Sequence, residues 1–369
     1  MVKKPDYVFL GIVIALVFLG IIILTSASAP FSLKNFDTPY YFLNHQIIFG
    51  LLPGAVLAFC VYKMDLQKIK KIAPVLFLIN LTLLGIIFLP GIGAESGGAS
   101  RWIKMGPISF QPAEFLKLTF ILYLASWLAN KTERTGKFLK NEDNSTQTFI
   151  VFLAILGLIS LFLALQPDVS TLAILAATAG IMYFLNQTPL RHSGLALLAG
   201  AGSLAALVKF APYRINRLLI FLNRNIDPSG HGYQIDQSLI AVGSGGVWGR
   251  GFGMSGQKLG FLPQSISDTI FAVFAEETGF AGGVILVLLL ALFLWFGFRI
   301  AKKSRNKFAK LAAIGITSWI SIQGFVNIGA MIGILPIAGI PLPFVSYGGS
   351  ALITEMIGAG LLLNISKSS

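Results

Sequence analysis

Charged residues are scarce in this 369-residue chain. Asp, Glu, Lys and Arg make up 12% of it, whereas a soluble domain usually contains about 25%. Because 55% of the residues are hydrophobic, too few charges remain to cover the surface of a soluble monomer of this size. The composition therefore excludes a soluble enzyme, and the high hydrophobicity also excludes a disordered chain.

Cysteine, histidine and acidic residues are scarce as well. The one cysteine, Cys60, lies in an apolar run, so no intramolecular disulfide can form. The three histidines do not cluster with it, which argues against a zinc site. The net charge is +13, but the basic residues occur in short clusters between apolar runs. This pattern is typical of a membrane protein rather than of a protein that binds nucleic acid.

Long apolar runs, in contrast, are abundant. A helix needs about 20 apolar residues to cross the hydrocarbon core of a bilayer. Since no convincing cleavage site follows the first run, we interpret it as a membrane helix and not as a removed signal peptide. We predict an all-α polytopic membrane protein with one domain over 1–369. Its ten predicted spans cover residues 7–28, 46–64, 73–91, 112–130, 147–166, 168–186, 192–210, 269–298, 309–333 and 343–365.

The distribution of Lys and Arg predicts the orientation. These residues concentrate in the N-terminal tail and in the short loops after the second, fourth and eighth predicted spans, and such loops are typically cytoplasmic. Both termini are therefore predicted to be in the cytoplasm. The largest segment outside the spans, about 211–268, then lies on the outer face between spans seven and eight. The segments 91–111 and 334–346 lie on the same face.

Ionisable residues also fall within predicted spans, where charge is costly and often functional. Glu114 and Lys117 are three residues apart and share a helix face, so they form either a structural ion pair or part of a substrate site. Structural pairing is the favoured interpretation for Glu276, Glu277 and Glu355, because each must find a partner or a hydrated cavity.

Two aspartates lie at predicted span boundaries. Asp168 follows Gln166 and Pro167 and would form a tight turn or cap the next helix. Asp268 lies at the predicted membrane boundary beside a basic loop. Burial there would raise its pKa and make it a useful general base, although an N-cap of the eighth span is an equally simple role for it.

The segment 211–268 contains several arginines and a glycine-rich stretch at 243–253. Glycine backbone can approach a phosphate closely, but no nucleotide-binding motif is present, so a structural loop is the default interpretation. Nearby arginines favour a phosphate or pyrophosphate ligand. The polar residues of interest here are Arg214, Arg217, Arg224, Tyr233, Gln234, Gln237 and Lys258.

Three prolines and several glycines interrupt the chain between 334 and 350. Irregular backbone at membrane depth is tolerated where it is buried in protein or lines a cavity. This segment therefore either lines a polar cavity or forms a packed re-entrant turn.

Four stretches, taken together, resemble the SEDS family of bacterial division, elongation and sporulation proteins (FtsW, RodA and SpoVE). The run Gln257-Lys258-Leu259 resembles FtsW or SpoVE more than RodA; we favour an FtsW-like protein and keep RodA as an alternative. The four stretches are 98–103 with 111–117; Gln166-Pro167-Asp168; 232–238 continuing to 257–272; and 341–350.

The resemblance implies a ten-span fold and a peptidoglycan glycosyltransferase that polymerises lipid II. It also implies that Asp268 is the essential catalytic residue, acting as a base on the acceptor hydroxyl. The family usually has Leu-Pro-Glu shortly before His-Thr-Asp, whereas this chain has Gln264 and then Ser265-Ile266-Ser267 before Asp268. Asp268 is thus the only acid in the motif.

The remaining predictions concern ligands and partners. A divalent cation, Mg²⁺ or Mn²⁺, is the candidate cofactor, with no protein ligands assigned. The resemblance implies a class B penicillin-binding protein and other division or elongation proteins as partners in the bacterial cytoplasmic membrane. A lipid II flippase and a non-catalytic division scaffold remain alternatives. The candidate substrate-binding residues are Arg101, Trp102, Lys104, Glu114, Lys117, Asp168, Arg214, Arg217, Tyr233, Gln237, Lys258, Ser346, Gly348, Gly349 and Ser350.

Overall fold

The computed structural model describes most of the chain. The described residues are 4–89, 93–96, 99–106, 108–135, 142–185, 217, 219–223, 226–227 and 229–367. The predicted seventh span, 192–210, lies outside them, and so do the candidate residues Arg214 and Arg224.

Helices dominate the described ranges, as predicted. In chain order they are α1 (Tyr7–Phe36), α2 (Tyr41–Lys63, with a π-helical turn at Ile47–Leu51), α3 (Leu66–Ile86), α4 (Pro112–Thr135), α5 (Glu142–Leu165), α6 (Val169–Phe184), α7 (His231–Ser244), α8 (Ile270–Lys303), α9 (Lys307–Met331) and α10 (Gly349–Lys367). Within these ranges, 8 helices are long and apolar enough to cross a membrane. The shorter apolar helix α6 corresponds to the predicted sixth span, and α7 lies in the segment predicted as a loop.

The predicted spans match these helices in place but not always in length. The first helix continues to Phe36 and α8 continues to Lys303, beyond the predicted ends. The last helix begins at Gly349 rather than at 343. Phe344 has a left-handed φ of 63°, so the chain directly after Pro343 cannot continue as an α-helix.

A small antiparallel sheet occupies the segment that we predicted as irregular connection 91–111. Its strands are β1 (Gly93–Ser96), β2 (Ala99–Met105) and β3 (Ile108–Phe110), paired in that order. Ile103 is opposite Phe110 in the register. Arg101 is left out of the register between β1 and β2, where Ala94 is opposite Trp102 and Glu95 is opposite Ser100, so it forms a bulge in β2.

Helix α9 is the most enclosed element of the core. It packs against α4, α6, α8 and α10, and its residues are buried on every side, as expected for a helix surrounded by others. Trp319, Gln323 and Asn327 follow one another at intervals of four and are all buried. They therefore form a polar ridge along one face of an otherwise apolar helix.

The glycine-rich stretch fills a break in α8. Gly279 has φ 68° and ψ −165°, so the helix is interrupted there. The N–H of Phe280 donates to the carbonyl of Gly246 at 2.9 Å. In return, the N–H of Gly251 donates to the carbonyl of Glu277 at 3.1 Å. The loop thus pairs backbone groups that the break would otherwise leave unsatisfied, which supports its interpretation as a structural loop.

The two ends of the bundle differ in composition. The end of α10 lies beside the start of α1, where the N–H of Asp6 donates to Ser366 Oγ at 3.1 Å. The end of α2 is also there, since Lys367 Nζ donates to the Tyr62 carbonyl at 2.6 Å. We call this the terminal end. The start of α10, the small sheet and Asp268 lie at the opposite end, which we call the Asp268 end.

Candidate active site

Asp268 lies in the turn that leads into α8, held by its backbone. Asn327 Nδ2 of α9 donates to the Asp268 carbonyl at 2.7 Å and to the Ile340 carbonyl at 2.8 Å. A Cβ added at Gly339 would lie 3.6 Å from Asp268 Oδ2. The carboxylate therefore faces the segment 334–350, which we call the proline-rich segment. One amide therefore fixes the Asp268 turn against that segment.

The side chain of Asp268 is partly buried. Burial raises its pKa from 3.8 to about 6, while the charges of Arg217 and Arg101 lower it and those of Glu114 and Asp168 raise it. Within the described ranges no hydrogen bond reaches this carboxylate. The alternative N-cap role is wrong, because Thr269 occupies the cap position of α8 and no side chain caps the helix.

Arg101 links the small sheet to the start of α6. Its Nε donates to the Gln166 carbonyl at 3.0 Å and its Nη2 to the Pro167 carbonyl at 2.7 Å. Asp168 accepts from the N–H of Thr171 at 3.1 Å and from its hydroxyl at 2.8 Å. Asp168 therefore caps α6, as one of its predicted roles required, and Arg101 is positioned beside Asp268 by backbone carbonyls.

An enclosed polar network lies behind the site. Lys117 Nζ is 2.7 Å from Glu114 Oε2 and donates to Gln323 Oε1 at 2.8 Å. Gln323 Nε2 donates in turn to Glu355 Oε1 at 3.4 Å. All four side chains are buried. Of the two interpretations of Glu114 and Lys117, the geometry matches the structural ion pair.

The same network holds the proline-rich segment in place. Glu355 Oε2 accepts from the N–H of Phe344 at 2.8 Å, and Gln323 Nε2 donates to the Pro341 carbonyl at 3.0 Å. Phe344 has a left-handed φ of 63°, a conformation that a bulky residue keeps only when its surroundings impose it. The buried glutamate on α10 supplies that restraint.

Ser346 connects this segment directly to the Asp268 turn. Its hydroxyl donates to the Ser267 carbonyl at 2.5 Å and accepts from the N–H of Leu342 at 2.8 Å. The N–H of Tyr347 donates to the Ile266 carbonyl at 2.9 Å. Ser346 therefore positions the backbone next to the candidate base, and its role in substrate binding stays a prediction.

A cavity of about 290 Å³ lies beside the same turn. The last four residues of the segment 334–350 line this cavity, whereas Ile337, Ile340 and Leu342 are buried in the core. Trp102 reaches the cavity from β2. The other polar and small lining residues are His45, Ser109, Gln264, Ser267, Tyr347, Gly348, Gly349 and Ser350. The site therefore has a charged side around Asp268 and an aromatic, uncharged side around Trp102.

Several predicted residues are not part of this arrangement. Lys104 is exposed on β2, and the described contacts do not join Tyr233 or Gln237 of α7 to Asp268. Lys258 is buried elsewhere: its Nζ is 2.6 Å from Glu277 Oε1 and donates to Ser26 Oγ at 2.9 Å.

Glu276 and Glu277 form a second acidic cluster, one that is fully bonded. Glu276 Oε2 accepts from Ser255 Oγ at 2.5 Å and Glu276 Oε1 accepts from the N–H of Gly256 at 3.2 Å. Arg250 Nη1 lies 3.2 Å from Glu276 Oε1. This confirms the structural pairing favoured for these glutamates.

The sequence reasoning missed Asn327, Gln323, Gln46 and His45. Gln46 accepts from the N–H of Gly348 at 3.0 Å, and His45 Nδ1 is 3.0 Å from the Tyr347 hydroxyl. A signal was present on α9, where two polar residues one turn apart interrupt an apolar run. Among the described residues, no group of three or more His, Cys, Asp or Glu side chains could hold a metal ion, and the divalent cation stays a prediction.

Known proteins are similar to this chain over nearly its whole length. A family model described as "Cell cycle protein", covering FtsW, RodA and SpoVE, matches residues 6–369. The stage V sporulation protein E of Bacillus subtilis is 37% identical over 99% of this chain and 98% of its own length. A protein of Nitrosococcus halophilus named probable peptidoglycan glycosyltransferase FtsW is 37% identical over 98% of this chain and 92% of its own.

Solved structures are similar over nearly the whole chain. The rod shape determining protein RodA of Thermus thermophilus has a TM-score of 0.70 and 27% identity, covering 98% of this chain and 96% of that one. A chain from a structure described as a peptidoglycan synthase complex that coordinates polymerization and crosslinking has a TM-score of 0.76 and 29% identity, covering 98% and 97%. This chain belongs to the FtsW/RodA/SpoVE family of cell cycle proteins and is a multi-pass membrane protein.

Proposed function

We propose that this protein is a peptidoglycan glycosyltransferase that polymerises lipid II into glycan strands. The observation that carries the proposal is the setting of Asp268: its turn is fixed by Asn327 and Ser346, and burial raises the pKa of its carboxylate to about 6. The names of its relatives support the same activity. Since Gln264 replaces the neighbouring acid of the family motif, Asp268 is the one acid of that motif able to act as a base.

In the proposed reaction, the 4-hydroxyl oxygen of the acceptor sugar bonds to the anomeric carbon of the donor. The bond from that carbon to the pyrophosphate oxygen breaks, and lipid pyrophosphate leaves with the electron pair. Asp268 takes the proton of the attacking hydroxyl. A pKa near 6 keeps the carboxylate ionised at neutral pH and still basic enough to assist the transfer.

The two sides of the site suit the two parts of this substrate. Arg101 and Arg217 lie close enough to Asp268 to affect its pKa, and they would stabilise the charge that grows on the leaving pyrophosphate. Trp102 and Tyr347 line the uncharged cavity, where an aromatic face would pack on a sugar ring. The Asp268 turn separates the two.

We also propose the membrane in which the protein lies and its orientation there. The terminal end carries both termini and lysine-rich connections, so the positive-inside tendency puts it in the cytoplasm. The Asp268 end then lies at the outer face of the bacterial cytoplasmic membrane, within reach of the lipid II head group. We further propose a role in division or elongation with a class B penicillin-binding protein, in line with the complex to which the fold is similar.

The test is glycan-strand formation from purified lipid II by the full chain, with the penicillin-binding partner present and its active serine blocked. Wild type is compared with Asp268→Ala and with Asp65→Asn, a matched loss of a carboxylate at the terminal end. All three must bind the partner equally. We expect polymer from wild type and from Asp65→Asn, and none from Asp268→Ala.

Each other outcome contradicts a defined part of the proposal. Equal polymer from wild type and Asp268→Ala would remove Asp268 from the chemistry. If a known polymerase works in the same assay and this protein makes no polymer, the activity itself is wrong. Translocation of labelled lipid II across vesicles by this protein would then favour a flippase, and its absence would favour a scaffold.

A further inference from the structure

An apolar groove lies on the side of the bundle formed by α1, α2 and α10. Its volume is about 590 Å³, and its lining runs from Tyr7 and Tyr62 at the terminal end towards Leu51 in the middle of the bundle. Ala55 and Gly360 form part of its floor. Gly360 lets α10 pack closely against Ala58 of α2, and the small exposed side chain of Ala55 leaves room beside them for a flexible hydrocarbon chain.

Two lysines lie at the terminal end of this groove around one lining residue. Lys367 Nζ is 3.7 Å from the centroid of the Tyr62 ring, and it donates to the Tyr62 carbonyl at 2.6 Å. Lys63 Nζ is 5.8 Å from the centroid of the same ring. Both ammonium groups are thus gathered at the mouth of the groove.

No acid neutralises this pair in the part of the chain that the structure describes, where neither lysine takes part in a salt bridge. Asp6 is the acid at the start of α1, and its carboxylate accepts from the N–H of Phe9 as the helix cap. Two like charges held around one ring repel each other, and an anion placed between them would relieve that repulsion.

We propose that this groove binds one anionic phospholipid, with an acyl chain in the groove and the phosphate between Lys63 and Lys367. Basic pockets between membrane helices favour phosphate head groups in this way. The site is separate from the active site, because the 19 residues of α10 place Lys367 about 27 Å from Gly349 along the helix axis. The proposal therefore does not depend on the activity of Asp268.

The test is native mass spectrometry of the full chain in detergent, titrated with phosphatidylglycerol or with phosphatidylcholine of the same acyl chains. We expect one phosphatidylglycerol to bind at least ten-fold more tightly than phosphatidylcholine. The double variant Lys63→Gln/Lys367→Gln should lose about thirty-fold in affinity, since each lysine near a phosphate surface contributes about five-fold. The matched control Lys302→Gln/Lys303→Gln removes two lysines from the end of α8 and should bind normally.

A second pair of variants tests the groove without touching the lysines. Ala55→Trp fills the groove, whereas Val56→Trp places the same bulk on an exposed neighbour outside its lining. We expect weaker phosphatidylglycerol binding in Ala55→Trp alone. Equal binding of the two lipids, unchanged binding in the double lysine variant, or tighter lysine-dependent binding of a polyprenyl phosphate would overturn the proposal.

Discussion

Residues 268–277, around the start of α8, contain acidic side chains in two different bonding states. Glu276 and Glu277 are buried, and their carboxylates accept hydrogen bonds or ion pairs from Ser26, Ser255 and Lys258. Asp268, eight residues earlier, is partly buried and accepts no hydrogen bond from the described part of the chain. Its turn is instead fixed through backbone carbonyls, by Asn327 and Ser346.

This difference separates structural acids from a reactive one. A carboxylate whose oxygens are all bonded is stabilised in its charged form and has fewer lone pairs free for a substrate proton. A carboxylate that is desolvated but not bonded has a raised pKa and an accessible oxygen. Holding the residue by its main chain leaves the side chain available for chemistry.

The largest effect should come from removing the reactive acid. The isosteric change Asp268→Asn should lower the turnover of lipid II by 10²–10⁴-fold, the usual contribution of a general base. Because the carboxylate has no described hydrogen bond, the midpoint of thermal unfolding should change little. Initial rates and unfolding curves on one preparation check both statements. A large fall in the unfolding midpoint would place Asp268 with the structural acids.

For the bonded glutamates we expect the opposite result, a loss of stability when one partner of the ion pair is removed. Glu277→Ala leaves Lys258 buried without its partner, and breaking such a pair typically costs about 3–5 kcal/mol of unfolding free energy. The double change Lys258→Met/Glu277→Leu removes both charges and should recover most of that loss. Chemical denaturation in detergent micelles gives the three values. If the double variant is no more stable than Glu277→Ala, the ion pair is not the cause.

A substitution at Gly279, where α8 is interrupted, should have a smaller effect on stability. A Cβ at Gly279 would clash with the backbone of Gly249 and Val247, and φ is 68° there. Gly279→Ala should therefore lower the unfolding free energy by about 2–3 kcal/mol. Gly283→Ala is the matched control on the same helix, since its nearest neighbour would be Phe271 at 3.6 Å. Equal effects from the two changes would mean that the break is not conformationally demanding.

The sequence predicts what depends on composition and local pattern. Apolar length located the helices, and charge within a span identified Glu276 and Glu277 as groups that need partners. Which partners they find is set by packing: Ser26 lies 251 residues from Glu277 in the chain. Asn327 and Gln323 were missed for the same reason, because a buried amide acquires a role only when the backbone segments around it are known. The small sheet was missed because its strands are too short for a clear alternation.

The pH dependence gives the smallest and most specific effect. Asp268 must be ionised to accept a proton, and burial raises its pKa to about 6. The rate with lipid II should therefore be nearly constant above pH 7 and fall about ten-fold for each pH unit well below pH 6.

Since the charge of Arg217 lowers this pKa, Arg217→Gln should move the fall in rate to higher pH. A merely structural role for Arg217 would reduce the rate at every pH and leave the fall at the same pH. If Asp268 is the base, the rate must fall as the pH falls from 7 to 5. A rate that stays constant between pH 5 and pH 7 would assign the base to another group.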